Sequence, residues 1–260
     1  MRTVILPGTL LVVLLLAGTS YGVELSGPQS PAPFSVFSTM SAETPAVGEA
    51  AVAFSIEKAG QPDFTRVSSQ LGLGVTEHLE LDVNIPYQDD GASGLEDIAF
   101  SLKHRVLDEE DYGFSLAYLV AATLSSSTEQ LSTDGALGAG VILTKRLGPV
   151  KGLVNFIYLE PWKSDLEEEI RASVGMDFAA AHNIDLLSEF LVKKSYFSGK
   201  VDRSELRIGY RIQSLEGFYT TLGAGIGIND RKPEYRLIVA VSLIFSPRQR
   251  YIEKVYEKGE

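Results

Sequence analysis

The chain has 260 residues, a net charge of −11 and no cysteine. Its length allows one large β domain. The missing cysteine excludes disulfides, thiolate chemistry, thiolate metal sites and a lipoprotein anchor; the acidic balance argues against nucleic acid or an anionic lipid surface as partner.

Residues 1–22 read as a cleaved signal peptide. Arg2 supplies a short positive start, Leu10–Leu16 an apolar core, and Ser20-Tyr21-Gly22 the small residues a signal peptidase prefers. The apolar run is too short to cross a membrane as a helix. Cleavage after Gly22 removes one cation and no acid, leaving −12. No later window is apolar over the ~20 residues a membrane helix needs. Residues 23–47 hold four of the eleven prolines and many Ser and Thr. They read as an irregular lead-in able to fold back into a barrel lumen.

From Gly48 to Phe245 the pattern is strands punctuated by turn residues. The stretches are Glu49–Lys58, Arg66–Val75, Leu79–Tyr87, Glu96–Leu107, Gly113–Leu124, Ala136–Leu147, Val150–Glu160, Glu169–Ala179, Ile184–Tyr196, Glu205–Gln213, Gly217–Ile228 and Tyr235–Phe245. Each is about ten residues, the length of a tilted membrane strand, where soluble strands run nearer five or six. Several alternate cleanly: Leu79, Leu81, Val83, Ile85 and Tyr87 oppose Glu80, Asp82 and Asn84. Phase is weaker at Val150–Glu160 and Ile184–Tyr196, where Leu187 and Leu191 share a face with Asp185 and Glu189. Odd-to-even connections, including Ala59–Thr65, look longer than even-to-odd ones such as Gly148-Pro149. The last strand keeps an apolar face from Tyr235 to Phe245 and resembles the closing strand of an outer-membrane barrel, whose final aromatic residue the assembly machinery reads. Together these features predict an all-β fold: a transmembrane antiparallel β-barrel of about twelve strands, up-and-down, apolar outside and polar within. Residues 246–260 form a charged periplasmic tail.

The inward parity collects Arg66, Glu80, Asp82, Asp97, Lys103, Arg105, Glu169, Arg171, Asp177, Asp185, Glu189, Lys193, Glu205, Arg207, Arg211 and Arg236. Such charges tune pore selectivity, or pair and fill a narrow interior. Alternating glycines (Gly72 and Gly74, Gly138 and Gly140, Gly223 to Gly227) follow strand spacing, unlike a phosphate loop. They make room for a pore, for larger neighbours or for the lead-in. Tyr87, Phe114, Trp162, Tyr196, Phe197, Phe218, Tyr235 and Phe245 suit interfacial girdles. His78, His104 and His182 lack metal-ligand spacing, and no Gly-x-Ser-x-Gly elbow accompanies them. The sequence thus assigns no catalytic, cofactor or metal residue, and a barrel lipid hydrolase ranks last among the functions.

Short motifs carry a family resemblance. Pro33-Phe34-Ser35 and Ser41-Ala42-Glu43-Thr44 lead into Gly48; then come Gly94–Val106 (GLEDIAFSLKHRV), Leu143–Gly148 (LTKRLG), Glu205–Ile212 (ELRIGYRI) and the closing strand. This resembles the outer-membrane channel family labelled for the meta-pathway of phenol degradation. Members often carry a Leu-Pro-x-Gly turn where this chain reads Leu124-Ser125-Ser126-Ser127-Thr128, so no loop-specific role is carried over. The resemblance implies passive passage of small hydrophobic or aromatic solutes across the outer membrane of a Gram-negative bacterium, with lipid and the assembly machinery as partners. The alternative is a closed structural or interaction barrel with a packed interior.

Overall fold

A computed structural model describes residues 27–60, 63–89, 93–126, 132–228 and 234–246. The proposed signal peptide and the tail beyond Ser246 lie outside the described residues.

Twelve antiparallel strands close into one barrel. They are β1 (Ala50–Gly60), β2 (Asp63–Thr76), β3 (Leu79–Asp89), β4 (Ile98–Leu107), β5 (Ser115–Leu124), β6 (Ala136–Leu147), β7 (Val150–Pro161), β8 (Glu169–Ala181), β9 (Ile184–Lys194), β10 (Arg203–Leu215), β11 (Phe218–Gly227) and β12 (Tyr235–Phe245). Each pairs with its sequence neighbours. β12 closes the ring on β1, with Phe245 opposite Ala50 and Arg236 opposite Ala59. Closure leaves no open edge, which lipid would not tolerate.

The two ends differ. At one end sit two-residue turns such as 148–149 and 216–217, where Gly148 (φ 60°) and Gly217 (φ 71°) adopt the left-handed backbone that suits glycine. We call this the turn end, and the other the loop end. The first loop is shorter than the sequence suggested, because β1 and β2 stay paired to Gly60 opposite Asp63. The Lys58–Asp63 ion pair reinforces that extension. Phe64 is buried there, and the guanidinium groups of Arg66 and Arg236 stand 5.2 and 5.1 Å from its ring centre.

Alternation puts apolar side chains outside. Ile208 and Leu237 are 60% and 63% exposed, while Arg211 and Arg236 are 1% exposed. That inverts the soluble rule and matches a lipid-facing wall around a polar interior. Of the aromatic residues expected in girdles, Tyr87, Trp162, Phe197, Tyr235 and Phe245 are exposed. Tyr196 is not: just past β9 the chain turns inward, its carbonyl accepts from Glu167 N at 2.9 Å, and its ring joins a buried apolar cluster.

That cluster occupies the lumen. Residues 27–46 run inside the barrel, largely buried. Gly27 lies beside Arg171 and Leu159 towards the loop end, and Ala46 emerges at the turn end against Gly74. Midway, Ser35–Val36 pairs with Thr39–Met40 in a tight hairpin, with Phe37 at φ 47° in its turn. Met40 and Ala42 pack on Leu119, Ile142, Ile157, Leu159 and Tyr196; Val36 packs on Leu153 and Leu187. These inward leucines and isoleucines explain the weak phase of β7 and β9: their inner face meets protein, where a water-filled lumen would call for polar residues.

Candidate functional site

The lumen is a polar wall gripping its own N-terminal segment. The tightest grip is Glu189 on β9. Its carboxylate accepts from Ser38 N (2.8 Å), Ser38 Oγ (2.8 Å), Thr39 N (2.7 Å) and Thr39 Oγ1 (2.8 Å), while Arg207 Nη1 approaches at 3.2 Å. Four donors on one buried carboxylate make a set of charge-assisted bonds. On β3 and β4, Lys103 Nζ pairs with Glu80 (2.7 Å) and donates to Ser41 O (2.9 Å) and Ser30 Oγ (3.3 Å). Ser30 Oγ donates on to Asp82 at 3.3 Å. On β6, Thr144 Oγ1 accepts from Ala42 N at 2.8 Å. On β7, with its amide oriented to match its partners, Asn155 brackets Met40, Nδ2 donating to its carbonyl (2.9 Å) and Oδ1 accepting from its N–H (2.6 Å). At the turn end, Glu43 is clamped by Arg146 and by Lys151 (3.3 Å). Burial pushes the Glu43 carboxyl up, but these two cations outweigh it and hold it below the ordinary 4.5.

Of the sixteen charged positions the sequence singled out, fourteen are buried. Arg105 and Asp185 stand at the turn-end mouth. A register shift between Arg105 and Leu107 frees the Arg105 side chain to pair with Asp108 at 2.8 Å. Asp185 is part-exposed, 3.9 Å from Arg211. Asp97 holds the loop after β5, accepting from Ser126 N and Thr133 N at 3.1 and 2.8 Å. Glu169 bridges Arg171 (2.8 Å) and Lys193 (2.7 Å). Arg66 pairs with Glu96 at 2.6 Å, and Asp177 with Arg211 at 3.1 Å. Glu205 lies between Arg207 (2.8 Å) and Arg236 (3.2 Å). Buried charges among the described residues number nine cations and eight carboxylates. Among the described residues, the buried charges are therefore nearly balanced.

Glycines shape the wall where the segment touches it. A Cβ at Gly175 would stand 3.2 Å from Thr39 Cβ, and one at Gly72 would stand 3.1 Å from the Pro31 ring. Gly209 and Gly223 face each other across β10 and β11. A Cβ at Gly223 would lie 2.3 Å from Phe37 Cε1. Sequence reasoning missed Thr144, Asn155 and the serines of the segment as lumen partners. The signal available was the Ser/Thr richness of residues 23–47 beside two strands of broken phase.

The segment leaves a gap along β12, β1 and β2. A cavity of about 70 Å³ borders Phe37, Ser55, Gln70, Thr221, Arg207 and Arg211. A second, of about 50 Å³, adjoins it and reaches Arg66, Arg171 and Lys193. Together they are lined by five cations and one carboxylate, Glu57. They hold on the order of ten waters, at roughly 10–15 Å³ each.

His104 Nδ1 meets Tyr118 Oη at 2.9 Å, and His78 lies 3.6 Å from Asp108. Among the described residues, no group of three or more His, Asp or Glu gathers as a metal site.

Solved structures share this architecture. The NanC porin superposes with a TM-score of 0.59 at 9% identity, covering 74% of this chain and 98% of its own. An outer-membrane channel from Pseudomonas putida F1 gives 0.58 at 12% identity, covering 84% and 100%. The KdgM porin gives 0.57 at 8% identity, covering 75% and 99%. These likenesses establish the barrel fold. No family model and no curated protein sequence matches the chain.

Proposed function

We propose that this chain is an outer-membrane channel for passive passage of small anions, closed at rest by its residues 27–46. The observation that carries the reading is the pair of adjoining cavities along β12, β1 and β2, lined by five cations against one carboxylate. Charges lining a narrow, low-dielectric path decide which ions enter it. The ion-pair partners of these cations, Glu96, Glu169, Glu189, Glu205 and Asp177, do not border either cavity. The exposed apolar belt supports a membrane setting, and removal of residues 1–22 belongs to the same reading. Lipid around the belt and the assembly machinery at Phe245 are its other partners.

The experiment is conductance in planar bilayers of the mature protein and of a variant lacking residues 27–45. The expected result is rare opening of the full chain, steady conductance of the variant, and a reversal potential set by the anion. A variant that is silent, or that prefers cations, overturns the proposal. Silence from both proteins favours the second reading, a closed structural barrel, which the small cavities and dense ion pairs support.

A further inference from the structure

We infer that the glycine pair Gly209–Gly223 is a binding site for an aromatic carboxylate, which Phe37 occupies at rest. The inference deepens the channel reading and rests on it, because the site lies on the proposed path.

The geometry begins with the wall. Gly209 and Gly223 are directly opposed in the β10–β11 register. Side by side they form a patch of bare backbone on the inner face, flat enough for a ring. Phe37 uses it: its Cζ would lie 2.9 Å from a Cβ at Gly209 and 2.7 Å from one at Gly223. Leu153 and Leu187, which pack with Phe37 and Val36, supply apolar side walls. Glycine is a poor strand residue, and a side chain at either position would close the patch.

The flanks carry two guanidinium groups, Arg211 paired with Asp177 and Arg207 with Glu189 and Glu205. Arg207 and Arg211 lie two residues to either side of Gly209 on the same face of β10, about 6.6 Å along the strand in each direction. Each meets an oxygen from the hairpin that carries Phe37. Arg207 Nη1 donates to Ser38 Oγ at 3.3 Å, and Arg211 Nη2 donates to Ser35 O at 2.5 Å. Ring and oxygens together present an arene beside hydrogen-bond acceptors, which are the parts of an aromatic acid. A planar guanidinium receives a carboxylate with two parallel bonds, a better acceptor than a single carbonyl.

Two observations point to a ligand beyond the segment. Arg211 is 1% exposed, yet its Nε has no hydrogen-bond partner among the described residues. The larger cavity is bordered by Phe37, Arg207 and Arg211 together, so space adjoins all three groups. Phe37 also holds a left-handed backbone, φ 47°, which non-glycine residues rarely adopt.

The test uses benzoate as probe, with acetate and phenol as controls, titrated calorimetrically into folded mature protein. Phe37→Ala is expected to raise benzoate affinity at least tenfold, since the internal competitor is gone. In that background, Arg211→Gln is expected to lower benzoate affinity at least tenfold and leave phenol unchanged, and Gly223→Val to abolish binding of both. A second readout keeps Phe37 in place. The chain has no cysteine, so Ala32→Cys, beside the cavity, is a unique labelling site. Benzoate is expected to accelerate its labelling severalfold, and acetate at the same concentration is not. Equal binding of acetate and benzoate, or no gain from Phe37→Ala with unchanged labelling, overturns the inference. Binding is read without current flow: benzoate binding in a protein that never conducts refutes the channel and keeps the site, whereas anion conductance without benzoate preference does the reverse.

Discussion

Replacing Glu189 by Gln should open the barrel without unfolding it. The carboxylate now accepts four hydrogen bonds from Ser38 and Thr39 and faces Arg207. In the least costly orientation, the new amide nitrogen takes the place of Oε1. The Ser38 hydroxyl then turns to accept, and the Arg207 contact is lost. The three bonds to Oε2 lose their charge assistance, about 1 kcal/mol each; the Arg207 bond joins two wall strands and does not count towards docking. The segment's docking weakens by about 3 kcal/mol, which is roughly a hundredfold in its equilibrium. A barrel open about 1% of the time would then be open half the time or more. Arg207 keeps Glu205 at 2.8 Å, so no buried cation is abandoned. The assay is open probability in bilayers, paired with protease sensitivity of residues 27–46 in detergent. Asp63→Asn, at the exposed Lys58 pair, is the control expected to change neither. Unchanged open probability together with unchanged protease resistance in Glu189→Gln would refute the idea that this grip keeps the lumen shut.

Three further outcomes follow from the geometry. Gly74→Val would place a Cβ 2.1 Å from Ala46 O and 2.5 Å from Pro45 O; the segment's exit should be displaced, raising open probability while heat-modifiable migration on gels persists. The Glu43 clamp has a defined acid limit: because the folded carboxyl is held below 4.5, its contribution is complete above that value and is lost only as pH falls through the lowered one. Conductance should therefore be flat from neutral pH down to 4.5 and rise below it, and Glu43→Gln should abolish that rise. Val239→Arg puts a cation on the outer face in mid-β12; refolding into lipid bilayers should show a stability loss of about 2–4 kcal/mol, whereas a wall facing water would lose almost nothing.

The strands were legible because alternation is a local property. β6 and β12 run between the residues their sequences indicate, since one face of each stays apolar at period two: Leu137, Ala139, Val141 and Leu143 on β6, and Tyr235, Leu237, Val239, Val241, Leu243 and Phe245 on β12. What the sequence hid is what depends on distant partners. Leu153, Ile157 and Leu187 look out of phase until Met40 and Val36 are placed against them. Tyr196 has the composition of a girdle residue, and only the inward turn after β9 makes it a core residue. The first loop shortened because Phe64 could bury its ring under two arginines contributed by β2 and β12. Parity singled out the sixteen charged positions, fourteen of which are buried. Their division into segment-gripping, loop-holding and wall-pairing groups did not follow from it, since that division depends on where residues 27–46 lie.

The apolar cluster around Met40, Ala42, Leu119, Ile142 and Tyr196 sets the thermal character of any opening. Withdrawing the segment would wet that cluster, and hydrating apolar surface raises heat capacity. Opening would then resemble a small unfolding reaction, with an enthalpy that grows with temperature. Added salt would loosen the exposed Arg146 contact far more than the dry cluster. Warmth and acid, more than ionic strength, would be the conditions under which this barrel conducts.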